Sequence, residues 1–269
     1  LKISLVSINT QMISISKIQS KLKKNGFCIL ENFYSNKKCD LIKIKLEKIL
    51  NLRIKKNKYV GKKNTIVLYN YFLEDKSLIE LVYNKRINRF LSKILEKDYG
   101  LTSASARNKM FFNLNNSFFK KQSASGNKWH RDNRYVGGRG VHPSLSYFVI
   151  TAIEDISRFN GCTKYIPNSH KKFTKISKNK VFKKFKFLEA KKGSIIILDT
   201  NLVHIAGKPT GISRWTIFNM YSPWYIKPYY EYYNIKKIPK FSKLIKKILH
   251  YNYIPPTDYN KRRNTISSI

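Results

Sequence analysis

The residues with the clearest chemistry are Trp129-His130-Arg131-Asp132. In extended backbone His130 and Asp132 lie two apart and point to one face. One imidazole and one carboxylate side by side make half a metal site. A second imidazole brought from elsewhere completes a face of two histidines and one carboxylate. That set suits iron(II) and leaves coordination positions open for an oxidant and a co-substrate. Alone the pair is a weak pattern, because a packed histidine and a solvated aspartate at a strand end spell the same letters.

Four other histidines compete for the third position: His142, His170, His204 and His250. His142 stands beside Pro143 in a loop, and His250 falls late in an amphipathic stretch. His204 is the favoured candidate. It follows an apolar strand from Ser194 to Leu198 and a tight turn at Asp199 to Asn201, so a returning strand carries it inward. Ten residues later comes Arg214, then Trp215 and Thr216. Arg214 and Thr216 share a face by strand alternation. An inward guanidinium without an anion is a costly buried charge, and a dicarboxylate co-substrate supplies that anion with two-point contact. A surface salt bridge explains Arg214 less well, since the chain has only 15 acidic residues.

Three arginines, Arg131, Arg134 and Arg139, fall within nine residues, in a chain that otherwise carries its positive charge mostly on lysine. Arginine is the better residue for planar contact with carboxylate or phosphate. Alternation places Arg134 on the face of His130 and Asp132. Gly137, Gly138 and Gly140 would let the following segment act as a lid. The expectation is a small anionic substrate anchored by Arg134 and Arg139. The competing explanation pairs these arginines with Glu154 or Asp155 in the scaffold.

The elements that must position these residues are legible in outline. A helix is expected over Lys17 to Asn25, closed by Gly26, then a strand at Phe27 to Leu30. Ser35 caps a second helix running through Leu52. Arg53 to Lys63 reads as loop, and Thr65 to Leu73 as strand or loop. A long helix from Ser77 to Glu96 should end near Gly100. Strands follow at Ala104–Asn113, Leu145–Ile153, Thr163–Ile166, Ser194–Leu198, Val203–Ala206 and Trp215–Tyr221, with residues 171–186 as a basic connection. A last helix spans Phe241 to His250. Helices first and many short strands afterwards indicate a sandwich or barrel braced by helices. The expected division is one domain over 1–269, with mainly helical bracing in 1–100, the core in 101–222 and a Tyr/Pro-rich extension in 223–269.

Composition narrows the class. The net charge is +39, from 54 Lys+Arg against 15 Asp+Glu. A nucleic-acid or membrane-surface binder would explain it. The charge is spread evenly, however, with no basic block, so compositional bias explains it better. Nucleic acid is accordingly not the expected partner. The three cysteines, Cys28, Cys39 and Cys162, are scattered and odd in number. They indicate neither a disulfide framework nor a zinc-thiolate site, and they fit a reducing compartment. Residues 3–15 are too polar for a signal-peptide core or a membrane span. A cytoplasmic protein is expected.

Four blocks in order carry a family resemblance. They are Asn25-Gly26-Phe27-Cys28-Ile29-Leu30-Glu31-Asn32-Phe33; then Trp129 to Asp132; then Ile153 to Cys162 continuing through Ile166-Pro167-Asn168-Ser169-His170-Lys171; then Gly193 through His204 to Arg214. On these the chain resembles the phytanoyl-CoA dioxygenase family of non-haem iron(II), 2-oxoglutarate-dependent oxygenases. The resemblance implies a mainly β fold, a double-stranded β-helix (jelly-roll, cupin-like) core with N-terminal bracing helices. By position, His130, Asp132 and His204 resemble the iron ligands. Arg214 resembles the residue holding the distal carboxylate of 2-oxoglutarate, and His170 reads as structural. Family members often have Gly-Ser after the distal histidine. Ile205-Ala206 stand here instead, and Thr216 is the nearby hydroxyl to take that place. No co-substrate contact is assigned in Ser103 to Gln122. The implied reaction uses Fe(II), 2-oxoglutarate and O2 to hydroxylate a C–H bond and releases succinate and CO2. The alternatives are a non-catalytic jelly-roll binding module and a nucleic-acid-associated oxygenase, the latter suggested by the aromatic stretch from Tyr221 to Tyr233.

Overall fold

The computed structural model describes residues 14–58, 60–62, 65–95, 97–109, 128–132, 144–171, 176, 182–208, 210–232 and 241–251. The chain opens with helix α1 (Ile15–Asn25), whose cap Ser14 accepts from the Lys17 amide and which stops at Gly26 in left-handed backbone, φ 80°. Strand β1 (Phe27–Leu30) follows, then α2 (Asn36–Lys55), capped by Ser35 as its sequence predicts. Strands β2 (Gly61–Lys62) and β3 (Thr65–Tyr69) form a short hairpin.

The long helix expected from Ser77 to Glu96 is two pieces. A 3-10 helix covers Lys76–Leu81, and α3 covers Lys85–Ile94. The break falls at Asn84, whose extended backbone and side chain, accepting from the Arg86 amide, start a new helix. Strand β4 (Tyr99–Asn108) begins earlier than expected. Gly100 lies inside it and is not a helix stop. A Cβ there would come 2.1 Å from His250 Nε2, so the glycine makes room for the buried ring of the tail.

The remaining strands are β5 (Tyr147–Ala152), β6 (Thr163–Tyr165), β7 (Lys186–Leu188), β8 (Ile195–Asp199), β9 (His204–Ile205) and β10 (Trp215–Pro223), and α4 (Lys243–Ile248) lies in the tail. The seven-stranded sheet has the order β1-β8-β5-β10-β4-β3-β2, and a three-stranded sheet has the order β7-β6-β9. All pairings are antiparallel. From β4 onward the chain passes back and forth between the two sheets, with His130 bridged to β9 at the edge of the smaller one. This is the double-stranded β-helix, with helices packed on the outer face of the large sheet.

The run Ile195-Ile196-Ile197-Leu198 shows why such a strand is apolar throughout. Ile195 and Ile197 join the core under the helices. Ile196 and Leu198 join a second core between the sheets, with Phe148, Ile150 and Met220. A strand covered on both faces has no polar side. The tail packs on the helical side, where Tyr232, Ile248 and Leu249 are buried. Among the described residues no helix is long and apolar enough to cross a membrane. All three cysteines are free and buried.

Candidate metal centre

His130, Asp132 and His204 converge. Their ligand atoms all lie within 4.8 Å of one another. Asp132 Oδ1 is 3.8 Å from His130 Nε2, and Asp132 Oδ2 is 3.2 Å from His204 Nε2. Donors about 2.1 Å from one ion and at right angles stand about 3 Å apart, so the cluster is close to a metal-binding face. The local backbone makes this meeting. His130 and His204 exchange both main-chain bonds, each 2.9 Å, and the Asp132 amide donates to Thr200 O at 3.1 Å.

The imidazoles are oriented in the same way. His130 Nδ1 lies 2.8 Å from Lys128 O, and His204 Nδ1 lies 2.9 Å from Leu202 O. A carbonyl only accepts, so each Nδ1 carries a proton, and each Nε2 faces Asp132, where it offers a lone pair to a metal once it gives up any proton of its own. Burial pushes the Asp132 carboxyl up, but the hydrogen bond from His204 and the charges of His204, His130 and Arg107 outweigh it and hold it below its ordinary value. Burial likewise draws His204 down, and Asp132 overrides that and raises it. His130 is lowered by burial and by His204. The donor set of two neutral imidazoles and one carboxylate fits a divalent metal, whose binding competes with protons at all three.

The residues between and beside the ligands point the other way. Trp129 packs its ring edge-on to Phe182, centroids 5.3 Å apart. Arg131 donates from Nε to Asn201 O at 2.8 Å and from Nη2 to Ser169 O at 3.0 Å. Ser169 in turn accepts from the Val203 amide at 2.8 Å. One side chain thus ties the segment bearing His130 and Asp132 to the two turns that present His204. Glu154 is taken by Lys43, Ser213 and the Trp215 amide, and Asp155 by Lys191 and the Lys192 amide. Neither pairs with Arg131. Arg134, Arg139, the glycines at 137, 138 and 140, and His142 lie outside the described residues. His170 is buried with Nε2 3.1 Å from Lys23 O, a tie between α1 and the turn after β6. His250 is buried in the tail, away from this cluster.

Arg214 is 4% exposed and precedes β10. Its Nε donates to Asn160 O at 3.1 Å, its Nη2 to Gly161 O at 3.0 Å and its Nη1 to Thr216 Oγ1 at 3.4 Å. Arg214 and Thr216 do share a face. Gly161 sits at φ 78°, and a Cβ there would meet Lys208 O at 2.2 Å, so only glycine can offer this carbonyl here. Among the described residues Arg214 has no carboxylate partner. Burial, with the charge of Arg107 adding to it, draws its pKa down to about 10. Glu154 holds both chain neighbours of Arg214, accepting from the Ser213 hydroxyl and the Trp215 amide.

Arg107 belongs to this site and was not legible as such. It sits on β4 opposite Thr216 of β10. Residues directly opposed in an antiparallel pair share a face, so Arg107 lies on the face of Thr216 and Phe218. Its guanidinium lies 4.6 Å from the Phe218 ring centroid, and its Nε donates to Ser105 Oγ at 3.1 Å. Its charge acts on His130, Asp132, His204 and Arg214 alike. The available signal was the pairing of β4 with β10, which sequence spacing does not show.

Solved structures share this architecture at low identity. HygX from Streptomyces hygroscopicus, determined with nickel and 2-oxoglutarate bound, matches with a TM-score of 0.60 at 14% identity, over 82% of this chain and 93% of that one. The non-heme alpha ketoglutarate dependent epimerase SnoN from nogalamycin biosynthesis matches with a TM-score of 0.57 at 13% identity, over 78% and 83%. A phytanoyl-CoA dioxygenase domain-containing protein 1 homolog of Dictyostelium discoideum is 23% identical, over 69% of this chain and 82% of its own length. The family model for phytanoyl-CoA dioxygenase (PhyH) matches residues 22–214, which include all four blocks up to Arg214. The chain belongs to the phytanoyl-CoA dioxygenase family.

Proposed function

We propose that this protein is an iron(II)- and 2-oxoglutarate-dependent oxygenase that hydroxylates a small anionic organic substrate. The observation that carries the reading is the convergence of His130 Nε2, His204 Nε2 and the Asp132 carboxylate, with both Nδ1 atoms already committed to carbonyls. Those three residues would hold the iron. Arg214 would take the distal carboxylate of 2-oxoglutarate, beside the Thr216 hydroxyl. HygX is a protein of the same fold with nickel and 2-oxoglutarate in its crystal.

Bound iron supplies the activation of O2, which converts C–H to C–OH while 2-oxoglutarate becomes succinate and CO2. The chain's part is geometric and electrostatic. Lys128 O and Leu202 O fix the imidazole tautomers. Arg131 holds the ligand-bearing segments together. Arg214 offers a desolvated cation to an incoming carboxylate. Phe148, Ile150 and Met220 pack the space between the sheets and keep water out of it. Arg134 and Arg139 remain the proposed substrate anchors from sequence.

Two other readings stay distinguishable. The tail aromatics that suggested nucleic acid divide: Tyr221 and Tyr232 are fully buried in the core, and Tyr225 and Tyr229 are exposed. A non-catalytic binding module would bind metal or small molecules without turnover. The deciding experiment loads the protein anaerobically with Fe(II) and 2-oxoglutarate, admits O2, and screens small molecules for stimulated succinate release, with products identified by mass. Hydroxylated product from a small acid supports the proposal. Metal and 2-oxoglutarate binding with no turnover on any compound refutes the hydroxylase assignment.

A further inference from the structure

Among the described residues Arg107 has no anionic partner of its own. The sequence holds one acidic residue between Asp98 and Glu154, and that residue is Asp132, which the metal cluster uses. Among the described residues the Nη groups of Arg107 have no hydrogen-bond acceptor, since its bond to Ser105 runs through Nε. The ring of Phe218 covers one face of the guanidinium without neutralising it. Burial holds its pKa below the usual arginine value. A desolvated guanidinium with free donors, within reach of the cluster's charges, is a receptor for an anion.

Charge counting gives the same result, and it rests on the iron and 2-oxoglutarate reading above. With iron(II) and the 2-oxoglutarate dianion in place, Arg107, Arg214 and the metal carry four positive charges. Asp132 and the co-substrate carry three negative ones. Arg214 is tied to Asn160, Gly161 and Thr216 at one end of the site, while Arg107 is the cation that acts directly on Asp132.

We propose that Arg107 is a second anion-binding group of this site and receives a carboxylate beside the metal. Two molecules can present one: 2-oxoglutarate, through its keto-acid end, and the substrate itself. The leftover positive charge leaves a place for the second.

The test uses full-length protein loaded with Ni(II) or Co(II), as wild type, Arg107→Met and Arg107→Lys. In one arm, 2-oxoglutarate and pyruvate are titrated calorimetrically into the Ni(II) form. Pyruvate keeps the keto-acid end and lacks the distal carboxylate. In the other arm, 13C-labelled acetate is added to the Co(II) form saturated with 2-oxoglutarate, and its paramagnetic relaxation is measured. If Arg107 serves the co-substrate, Arg107→Met weakens both keto acids at least about tenfold. If it serves the substrate, keto-acid binding is unchanged, and the acetate relaxation seen in wild type disappears. Arg107→Lys keeps the charge without the planar fork and gives an intermediate effect in the affected arm. It also stands in for Arg107→Met should that variant fail to fold. Wild-type behaviour of the substituted protein in both arms overturns the proposal. Failure of the wild type itself to bind Ni(II) or 2-oxoglutarate overturns the oxygenase reading and this proposal with it.

Discussion

Arg214→Met separates the ligand role of this residue from its structural one. Burial holds the guanidinium at about 10, well below the ordinary arginine value, a difference worth about 3 kcal/mol against the folded apoprotein. Methionine removes that unfavourable charge. It also removes the bonds to Asn160 O and Gly161 O, each contributing roughly 1.5–3 kcal/mol. The two effects oppose each other, so the apoprotein should lose no more than about 3 kcal/mol and remain folded. Binding of 2-oxoglutarate has no such compensation. Loss of a buried charge-assisted contact costs on the order of 2–5 kcal/mol, roughly thirtyfold to several thousandfold in affinity. Calorimetric titration of 2-oxoglutarate into Ni(II)-loaded protein measures it, with thermal melting of the apoprotein alongside. The expected result is a large loss of 2-oxoglutarate affinity at unchanged Ni(II) affinity. A folded variant that binds 2-oxoglutarate as wild type does would refute the assignment of Arg214.

Arg131→Met should weaken Ni(II) binding roughly 10–100-fold, the usual effect of losing support behind a ligand, with Arg131→Lys between the two; equal affinity in all three proteins would show that the backbone bonds alone set the geometry. Gly161→Ala forces a side chain into left-handed backbone against Lys208 O. It should cost on the order of 1–3 kcal/mol of stability, and it should lower 2-oxoglutarate affinity as well, because the displaced carbonyl is the one that holds Arg214. His250 has its pKa lowered by burial to about 4 from an ordinary 6.5. The unfolded chain therefore binds more protons between those values. Stability is full above about pH 6.5 and falls as the pH drops toward about 4, by up to about 3 kcal/mol. Melting temperatures of wild type and His250→Phe across that range should converge at low pH, and parallel curves would show that His250 contributes nothing to the slope.

The parts of the site that were legible depend on local alternation. His130 and Asp132 two apart, and Arg214 and Thr216 two apart, need only an extended backbone to share a face. The turn at Asp199 to Asn201, where the Asn201 amide donates to Asp199 Oδ1 at 2.8 Å, is also local. What was missed is non-local or small. Arg107 faces the site because β4 pairs with β10 in one register, across more than a hundred residues. Gly100 resembled a helix stop because the ring it accommodates, His250, lies far along the chain. Asn84 divided an apparently continuous amphipathic helix through a single side-chain cap. Strand β7 is three residues long, and the lysines around it hid its apolar Phe187 and Leu188.

The mutual main-chain bonds of His130 and His204 have a kinetic consequence. Each residue donates its amide to the other's carbonyl, so the two backbones cannot separate while those amides stay protected from solvent. Departure of a bound ion can follow two routes. In one the ring nitrogens release it in place, and both amide protons remain slow to exchange with deuterium. In the other the strand edge opens first, and ion loss and deuterium uptake at residues 130 and 204 proceed at one rate. Only the second route exposes backbone at the smaller sheet without disturbing the seven-stranded one. Deuterium uptake at these two amides, followed while a chelator strips the ion, therefore reports whether the site empties by simple dissociation or by opening one edge of the sheet.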